Sequence, residues 1–156
     1  MSRKARKVEK NQIIPDSKFN NPQVAKLINY VMKKGKKQIA TRIVYGAFDA
    51  VEQETKQDPI QIFDKALKNT MPYLEVKSQR VGGANYQVPK EVRGERRLAL
   101  SLRWILAAAK SKKGKPMTAK LAEELVAASN NQGTAVKKKQ DMQKMAEANR
   151  AFAHFA

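Results

Sequence analysis

Tyr73-Leu74-Glu75-Val76-Lys77-Ser78-Gln79-Arg80-Val81-Gly82-Gly83-Ala84-Asn85-Tyr86-Gln87-Val88-Pro89-Lys90-Glu91-Val92 is the stretch on which the fold turns. Apolar residues on either side of it recur at helical spacing. Inside it the period changes: Tyr73 to Val81 alternates loosely, and so does Tyr86 to Val92. Between the two runs, Val81-Gly82-Gly83-Ala84-Asn85 reads as a hairpin turn. Pro89 has no N–H to give to a neighbouring strand, so this is not the middle of a large sheet. The stretch at 73–92 predicts a two-stranded ribbon. Such a ribbon is marginal alone, so its base must lean on helices while its polar tip projects.

Upstream, Asn21-Pro22 opens a helix, with asparagine as N-cap and proline at the first helical position. Val24, Leu27, Ile28 and Val31 follow on one face, and Gly35 is expected to stop the helix as a C′ glycine. A second helix is expected over 36–55, with Ile39, Ile43, Ala47 and Val51 inward. Asp58-Pro59 starts a third by the same cap-and-proline device; it buries Ile62, Phe63, Ala66 and Leu67 and ends before Pro72. Downstream of the ribbon, Leu98, Leu102, Ile105, Leu106 and Ala109 form the stripe of a fourth helix. Lys112-Lys113-Gly114-Lys115-Pro116 is a basic loop. Thr118 is the expected cap of a fifth helix carrying Leu121, Ala122, Leu125 and Val126. Asn130-Asn131-Gln132-Gly133 breaks that helix, and a last one is expected from Thr134 toward Phe155, with Met142, Met145 and Phe152 on one side. No repeat and no second domain is visible, so residues 1–156 read as a single domain, with 1–18 an extended basic arm.

The 156 residues carry 32 Lys+Arg against 14 Asp+Glu, a net charge of +18. That charge repels itself in a compact fold, and a polyanionic partner that neutralises it is the simplest reason to carry it. No Cys is present, which excludes disulfides and thiolate metal sites. The one histidine, His154, sits near the chain end, and the acids are scattered, so neither a metal site nor a histidine-based triad is expected. Gly35-Lys36-Lys37 lacks the glycine spacing and the following Ser/Thr of a phosphate loop. No apolar stretch approaches the ~18 residues of a membrane span, and no apolar segment follows the basic N-terminus. A cytoplasmic protein without cofactor, metal or catalytic residues, and with no membrane or homo-oligomeric partner, is the expectation.

The basic residues fall in runs. Arg3, Lys4, Arg6, Lys7 and Lys10 make the arm, opposed only by Glu9. Lys33, Lys34, Lys36 and Lys37 surround Gly35, whose turn is expected to present several ammonium groups to one phosphate-rich groove; cations there also suit the C-terminal dipole of the preceding helix. Lys77 and Arg80 sit on the ribbon. Arg93, Arg96, Arg97 and Arg103 line the start of the fourth helix, and Lys110, Lys112, Lys113 and Lys115 follow its end. Tyr73 and Tyr86 flank the ribbon, where a ring either stacks on an unpaired base or packs. Lys137-Lys138-Lys139 falls in the first turns of the last helix, where each cation costs about 0.3–1 kcal/mol against the helix dipole; a phosphate backbone would remove that cost. The acids Asp49, Glu52, Glu54, Asp58 and Asp64 group around Lys56 alone. That patch is expected to face solvent or a protein, away from nucleic acid.

Several spaced motifs resemble the family of small-subunit ribosomal protein seven. They are Leu27-Ile28 followed by Gly35-Lys36-Lys37 and Ile43-Val44; Val76-Lys77-Ser78 with Arg80-Val81-Gly82-Gly83 and Tyr86-Gln87-Val88-Pro89; Arg96-Arg97, Ala99 and Arg103-Trp104-Ile105; and Gly133 to Lys138 with Met145 to Asn149 and Ala151 to His154. The resemblance covers roughly residues 3–155. It implies a mainly α fold: a six-helix bundle with a protruding two-stranded β-hairpin between the third and fourth helices. It also implies a primary binder of small-subunit ribosomal RNA that nucleates the head through the three-prime major domain, near the decoding region and the exit site for transfer RNA. Small-subunit proteins nine and eleven are the implied neighbours. The RNA-binding residues so implied are Arg3, Lys4, Arg6, Lys7, Lys10, Lys36, Lys37, Lys77, Arg80, Arg96, Arg97 and Lys113, and the basic runs add Lys34, Arg93, Lys110, Lys112 and Lys115 as candidates. The exit-site transfer RNA and messenger RNA would face Gly82, Gly83, Ala84, Asn85, Tyr86, Lys137, Lys138, Lys139, Lys144 and Arg150. Two places depart from the family pattern: Gln79 stands where a second arginine is usual, and the chain ends Phe155-Ala156 without an aromatic-basic ending.

Two rivals share part of this pattern. An architectural DNA binder shares the charge and the helices, but no helix carries short polar base-reading residues; equal affinity for duplex DNA and folded RNA would favour it. A membrane-surface protein needs aromatics along one apolar face, and the last helix has only Phe152 and Phe155; vesicle binding at physiological salt would favour it.

Overall fold

The computed structural model describes residues 13–155. Six α-helices run in the order α1 (Pro22–Val31), α2 (Lys37–Thr55), α3 (Pro59–Thr70), α4 (Gly94–Ser111), α5 (Met117–Ser129) and α6 (Thr134–Ala148). Strands β1 (Leu74–Val81) and β2 (Ala84–Glu91) lie between α3 and α4, and a 3-10 turn (Arg150–Phe155) follows α6. The fold is thus a mainly α bundle with one antiparallel ribbon, as the sequence predicts.

The helix starts follow from local chemistry. The Asn21 side chain accepts from the Gln23 amide at 2.8 Å, and the Asp58 side chain from the Ile60 amide at 2.9 Å, each ahead of a proline at the first helical position. Ahead of α1, the buried Asp16 carboxylate accepts from the amides of Phe19 (2.8 Å), Asn21 (3.0 Å) and Lys18 (3.2 Å) and from the Tyr45 hydroxyl (3.2 Å), which ties this segment to α2. Burial alone would raise the Asp16 carboxyl. The Phe19 and Asn21 amides, the Tyr45 hydroxyl and the Lys18 amide outweigh it and hold the group below the usual carboxylate range.

α5 is the hub. Leu121, Ala122, Leu125 and Ala128 are buried, and the helix packs against α2, α3 and α4. α2 comes so close that a Cβ on Gly46 would stand 2.9 Å from the Thr118 methyl carbon. Phe48 and Phe63 fill the space between α2 and α3, with ring centroids 5.4 Å apart. Thr70 and Ser101, both fully buried, hydrogen-bond to each other between α3 and α4, and Thr70 also donates to the Ala66 carbonyl at 2.7 Å. That pairing satisfies the hydroxyls of an otherwise apolar core.

Several sequence expectations shift. α1 ends at Val31 with Met32 as its C-cap; Gly35 lies in the following loop, at φ +73 after Lys34 at +50, and does not stop the helix. On α2 the buried face is Ala40, Val44, Ala47, Phe48 and Val51, while Ile39 is 52% exposed and Ile43 half-buried. An i, i+4 row drifts around a helix of 3.6 residues per turn, so the row from Ile39 to Val51 starts off the core and reaches it only later. Thr118 lies inside α5, whose N-cap is Pro116; its methyl packs on Gly46 instead. α6 stops at Ala148. The Asn149 side-chain amide donates to the Met145 carbonyl at 2.7 Å, and the chain continues as a 3-10 turn. Met145 is exposed, and Ala146 takes the buried position expected of it.

Candidate nucleic-acid interface

The α1–α2 loop is the first basic element. Lys33, Lys34, Lys36 and Lys37 are all exposed, and none has a carboxylate within ion-pair distance among the described residues. The loop meets the C-terminal end of α4 across a groove of about 270 Å³, lined by Lys33, Lys36 and Lys110 at its polar edge and by Ile39, Ile43 and Met117 among its apolar residues. The sequence reading had Ile39 and Ile43 in the core; the structure puts them beside these lysines.

α2 runs against its own dipole. No acidic residue lies in its first turn and no basic one in its last. Lys36 and Lys37 stand at the positive N-terminal end, Glu52 and Glu54 at the negative C-terminal end. Nineteen residues at 1.5 Å each separate the two ends by roughly 28 Å. Asp58 joins the acidic end beside Lys56, and Asp49 pairs with Lys18 at 2.8 Å. A helix charged the wrong way at both ends gains nothing in stability from the arrangement.

The ribbon is the second element. Its register runs from Leu74 opposite Glu91 to Val81 opposite Ala84, so the tip is the two-residue turn Gly82-Gly83 at φ +57 and +90. Two successive positive φ values match the twist of an antiparallel pair and suit glycine. Gly82, Gly83, Ala84 and Asn85 are exposed at the tip, and Arg80 is exposed beside it. At the base, the buried Glu75 carboxylate accepts from Arg96 Nε at 2.9 and 2.8 Å and pairs with Arg96 Nη2 at 2.7 Å and Lys77 Nζ at 3.2 Å. Burial would raise the Glu75 carboxyl, but the hydrogen bonds from Arg96 and Lys77, with their charges, hold it below its usual range. The same contact raises Arg96. Arg96 and Lys77 therefore fasten the ribbon to α4 as well as carrying charge. Arg93 and Arg97 stay clear of Glu75. Arg97 stacks on the Tyr73 ring, its guanidinium carbon 4.1 Å from the ring centroid.

The loop after α4 is partly neutralised. Lys112 reaches Glu124 at 3.1 Å and Glu123 at 3.7 Å, and Lys115 pairs with Glu123, which lowers the Glu123 carboxyl. Lys113 and Lys110 keep exposed ammonium groups. Glu124 is 1% exposed, and its Oε1 accepts from the Ala135 amide at 3.0 Å, capping α6 from another helix. Sequence reasoning missed Glu75 and Glu124. Glu124 had left a signal: it falls in phase with the apolar stripe of Leu121, Leu125 and Ala128.

α6 completes the surface. Lys137, Lys138 and Lys144 are exposed on it, and Arg150 begins the 3-10 turn exposed. Lys139 differs: its ammonium donates to the Asn69 carbonyl at 2.9 Å, at the C-terminal turn of α3, where a cation is favoured. Tyr86, read from sequence as a candidate stacking ring, is packed between Phe152 and Phe155 of the 3-10 turn at 5.2 and 5.1 Å between centroids. The turn packs on β2, and α6 packs on both strands of the ribbon. The arm residues Arg3, Lys4, Arg6, Lys7 and Lys10 lie outside the described residues. Among the described residues no group of three or more His, Asp or Glu side chains is placed to hold a metal ion, and no helix is long and apolar enough to cross a membrane.

The pattern of the ribosomal protein S7p/S5e family matches residues 2–150. The chain is 60% identical over 150 residues to the small ribosomal subunit protein uS7 of Thermotoga maritima, covering 96% of this chain and 97% of that one. It is 57% identical over 150 residues to the uS7 protein of an Anaeromyxobacter species, covering 96% of each. With the uS7 protein of Rhodopseudomonas palustris it shares 56% identity over 147 residues, covering 94% of each.

Proposed function

From the premise that this chain belongs to the ribosomal protein S7p/S5e family, we propose that it is a primary binder of small-subunit ribosomal RNA that nucleates assembly of the head. Family membership makes it a structural constituent of the small ribosomal subunit, acting in translation and not as an enzyme. The finer reading is that residues 1–156 form one RNA-binding domain. The α1–α2 loop (Lys34, Lys36, Lys37), Lys77 and Arg80 of the ribbon, and both ends of α4 hold the three-prime major domain by its phosphates. The basic arm extends the same contact. The ribbon tip and the exposed side of α6, with Lys137, Lys138, Lys144 and Arg150, face the exit-site transfer RNA and the messenger. Small-subunit proteins nine and eleven are its neighbours.

The observation that carries this reading is the electrostatic polarity of α2, whose unpaired lysines and clustered acids both oppose the helix dipole. A phosphate backbone at the basic end offsets that cost and the self-repulsion of a +18 chain. The test is order of addition. The chain alone is mixed with protein-free three-prime-domain RNA, and backbone protection is mapped. Protection without any other protein is the expected result; protection only after other proteins are added removes the primary-binder role.

A further inference from the structure

Two tyrosines flank the ribbon, and the structure separates them. Tyr86 is packed between Phe152 and Phe155. Tyr73 is 65% exposed. One face of its ring is covered by the Arg97 guanidinium, 4.1 Å from the centroid, and an exposure that high leaves the other face to solvent. Its backbone is fixed, because the Tyr73 carbonyl accepts from the Val92 amide at 3.0 Å where the ribbon joins α4. Arg97 is not committed elsewhere: its buried Nε has no hydrogen-bond acceptor, whereas its neighbour Arg96 is tied to Glu75.

We propose that Tyr73, backed by Arg97, is a stacking platform for one unpaired base of the bound RNA, with Arg93 beside it to take an adjoining phosphate. An aromatic ring with one free face accepts any base. The cation behind it holds the ring in a single orientation, so little ordering is left to lose on binding. Arg93 is exposed and directly follows Val92, whose amide fixes Tyr73. A splayed-out nucleotide needs a ring for its base and a cation for its phosphate, and this junction carries both residue types on backbone held by one hydrogen bond. The proposal rests on the RNA-binding reading above.

The test uses the full chain and a transcript of the three-prime domain of small-subunit ribosomal RNA, titrated at several salt concentrations with Tyr73→Leu and Tyr73→Phe. Stacking on one base accounts for roughly 5- to 150-fold in affinity. Tyr73→Leu should therefore bind more weakly by a factor in that range, and by the same factor at every salt, because stacking releases no counterions. Tyr73→Phe should bind within about twofold of the parent. Circular dichroism should be unchanged for both, as the ring is exposed. If Tyr73 serves only to park Arg97, Leu frees the cation and binding is unchanged or tighter; that outcome overturns the platform while RNA binding stands. A loss that disappears as salt rises overturns it too, because the contact is then ionic. A parent chain with no preference for this RNA over duplex DNA overturns the RNA reading and the platform with it.

Discussion

Replacing Gly133 with alanine should destabilise the protein by about 4 kcal/mol, and the structure divides that figure into two parts. Gly133 caps α6 at φ +92, ψ 171, a region open essentially to glycine, where another residue costs about 1–3 kcal/mol. The new Cβ would also stand 2.9 Å from Glu124 Oε1 and 3.2 Å from the Ala127 Cβ. Glu124 cannot swing away freely. It is 1% exposed, bonded to the Ala135 amide and paired with Lys112. Displacing it leaves the buried Ala135 amide at the start of α6 without an acceptor, about another 1–3 kcal/mol. The sum is a large share of a total stability of about 5–15 kcal/mol. Urea unfolding followed by far-ultraviolet circular dichroism measures it, with the m-value unchanged. A double-mutant cycle then isolates the cause. In a Glu124→Ala background there is no carboxylate to displace, so Gly133→Ala should cost only the backbone part. A loss below about 1 kcal/mol in the parent, or equal losses in the two backgrounds, would refute the remote cap.

Three further outcomes follow from the surface charges. Lys36→Ala with Lys37→Ala should leave the fold intact and lower the slope of log affinity against log salt by about 1.4–1.8, the release expected for two phosphate contacts; an unchanged slope removes this loop from the interface. Deleting residues 1–10, which contain Arg3, Lys4, Arg6, Lys7 and Lys10, should flatten the same slope further, and an identical slope means that the arm takes no part. Glu75→Gln should destabilise the ribbon at neutral pH. Because the folded Glu75 carboxyl lies below its unfolded value of about 4.3, its contribution is whole above that pH and fades as pH falls through the folded value. The gap between parent and variant stabilities should narrow as the pH falls through the folded value, and a gap of constant size at every pH would mean that the charge of Glu75 is not what fastens the ribbon.

What the sequence made legible, it did through residues that act locally. Asn21-Pro22 and Asp58-Pro59 cap where they stand, because cap and proline chemistry needs no distant partner. Gly82-Gly83 sets the tip for the same reason. The misses depend on contacts across the fold. On α2, Ala47 and Val51 are buried as read but Ile39 and Ile43 are not, because the row drifts off the face that α1, α3 and α5 cover. The end of α6 was overrun because Tyr86, on the ribbon, draws Phe152 and Phe155 together. Residues three apart fall on one side of a 3-10 turn, with its three residues per turn.

The candidate site shows the same division. Runs such as 33–37 are visible in any basic sequence, and the structure leaves them exposed. Which cations are also structural was hidden, since Arg96 and Lys77 answer to Glu75, Lys112 to Glu124, and Lys139 to the Asn69 carbonyl. Each of those partners is at least two residues away in sequence and most are more than ten away. The lysine run at 137–139 illustrates the consequence. Its apparent conflict with the α6 dipole is partly met inside the protein, by the Glu124 carboxylate at the helix start and by the seat of Lys139 on α3. The lysines of the α1–α2 loop have only the C-terminal end of α1 to answer them, and no carboxylate partner among the described residues.

The central claim, recognition of a folded ribosomal RNA by this basic surface, is tested most directly by titrating the full chain against the three-prime domain of small-subunit ribosomal RNA and against duplex DNA of equal length, over a range of salt. Charge alone falls with salt equally for both. A preference for the RNA that persists as salt rises is the predicted result. Equal affinities that collapse together would contradict it and return an architectural DNA binder to consideration.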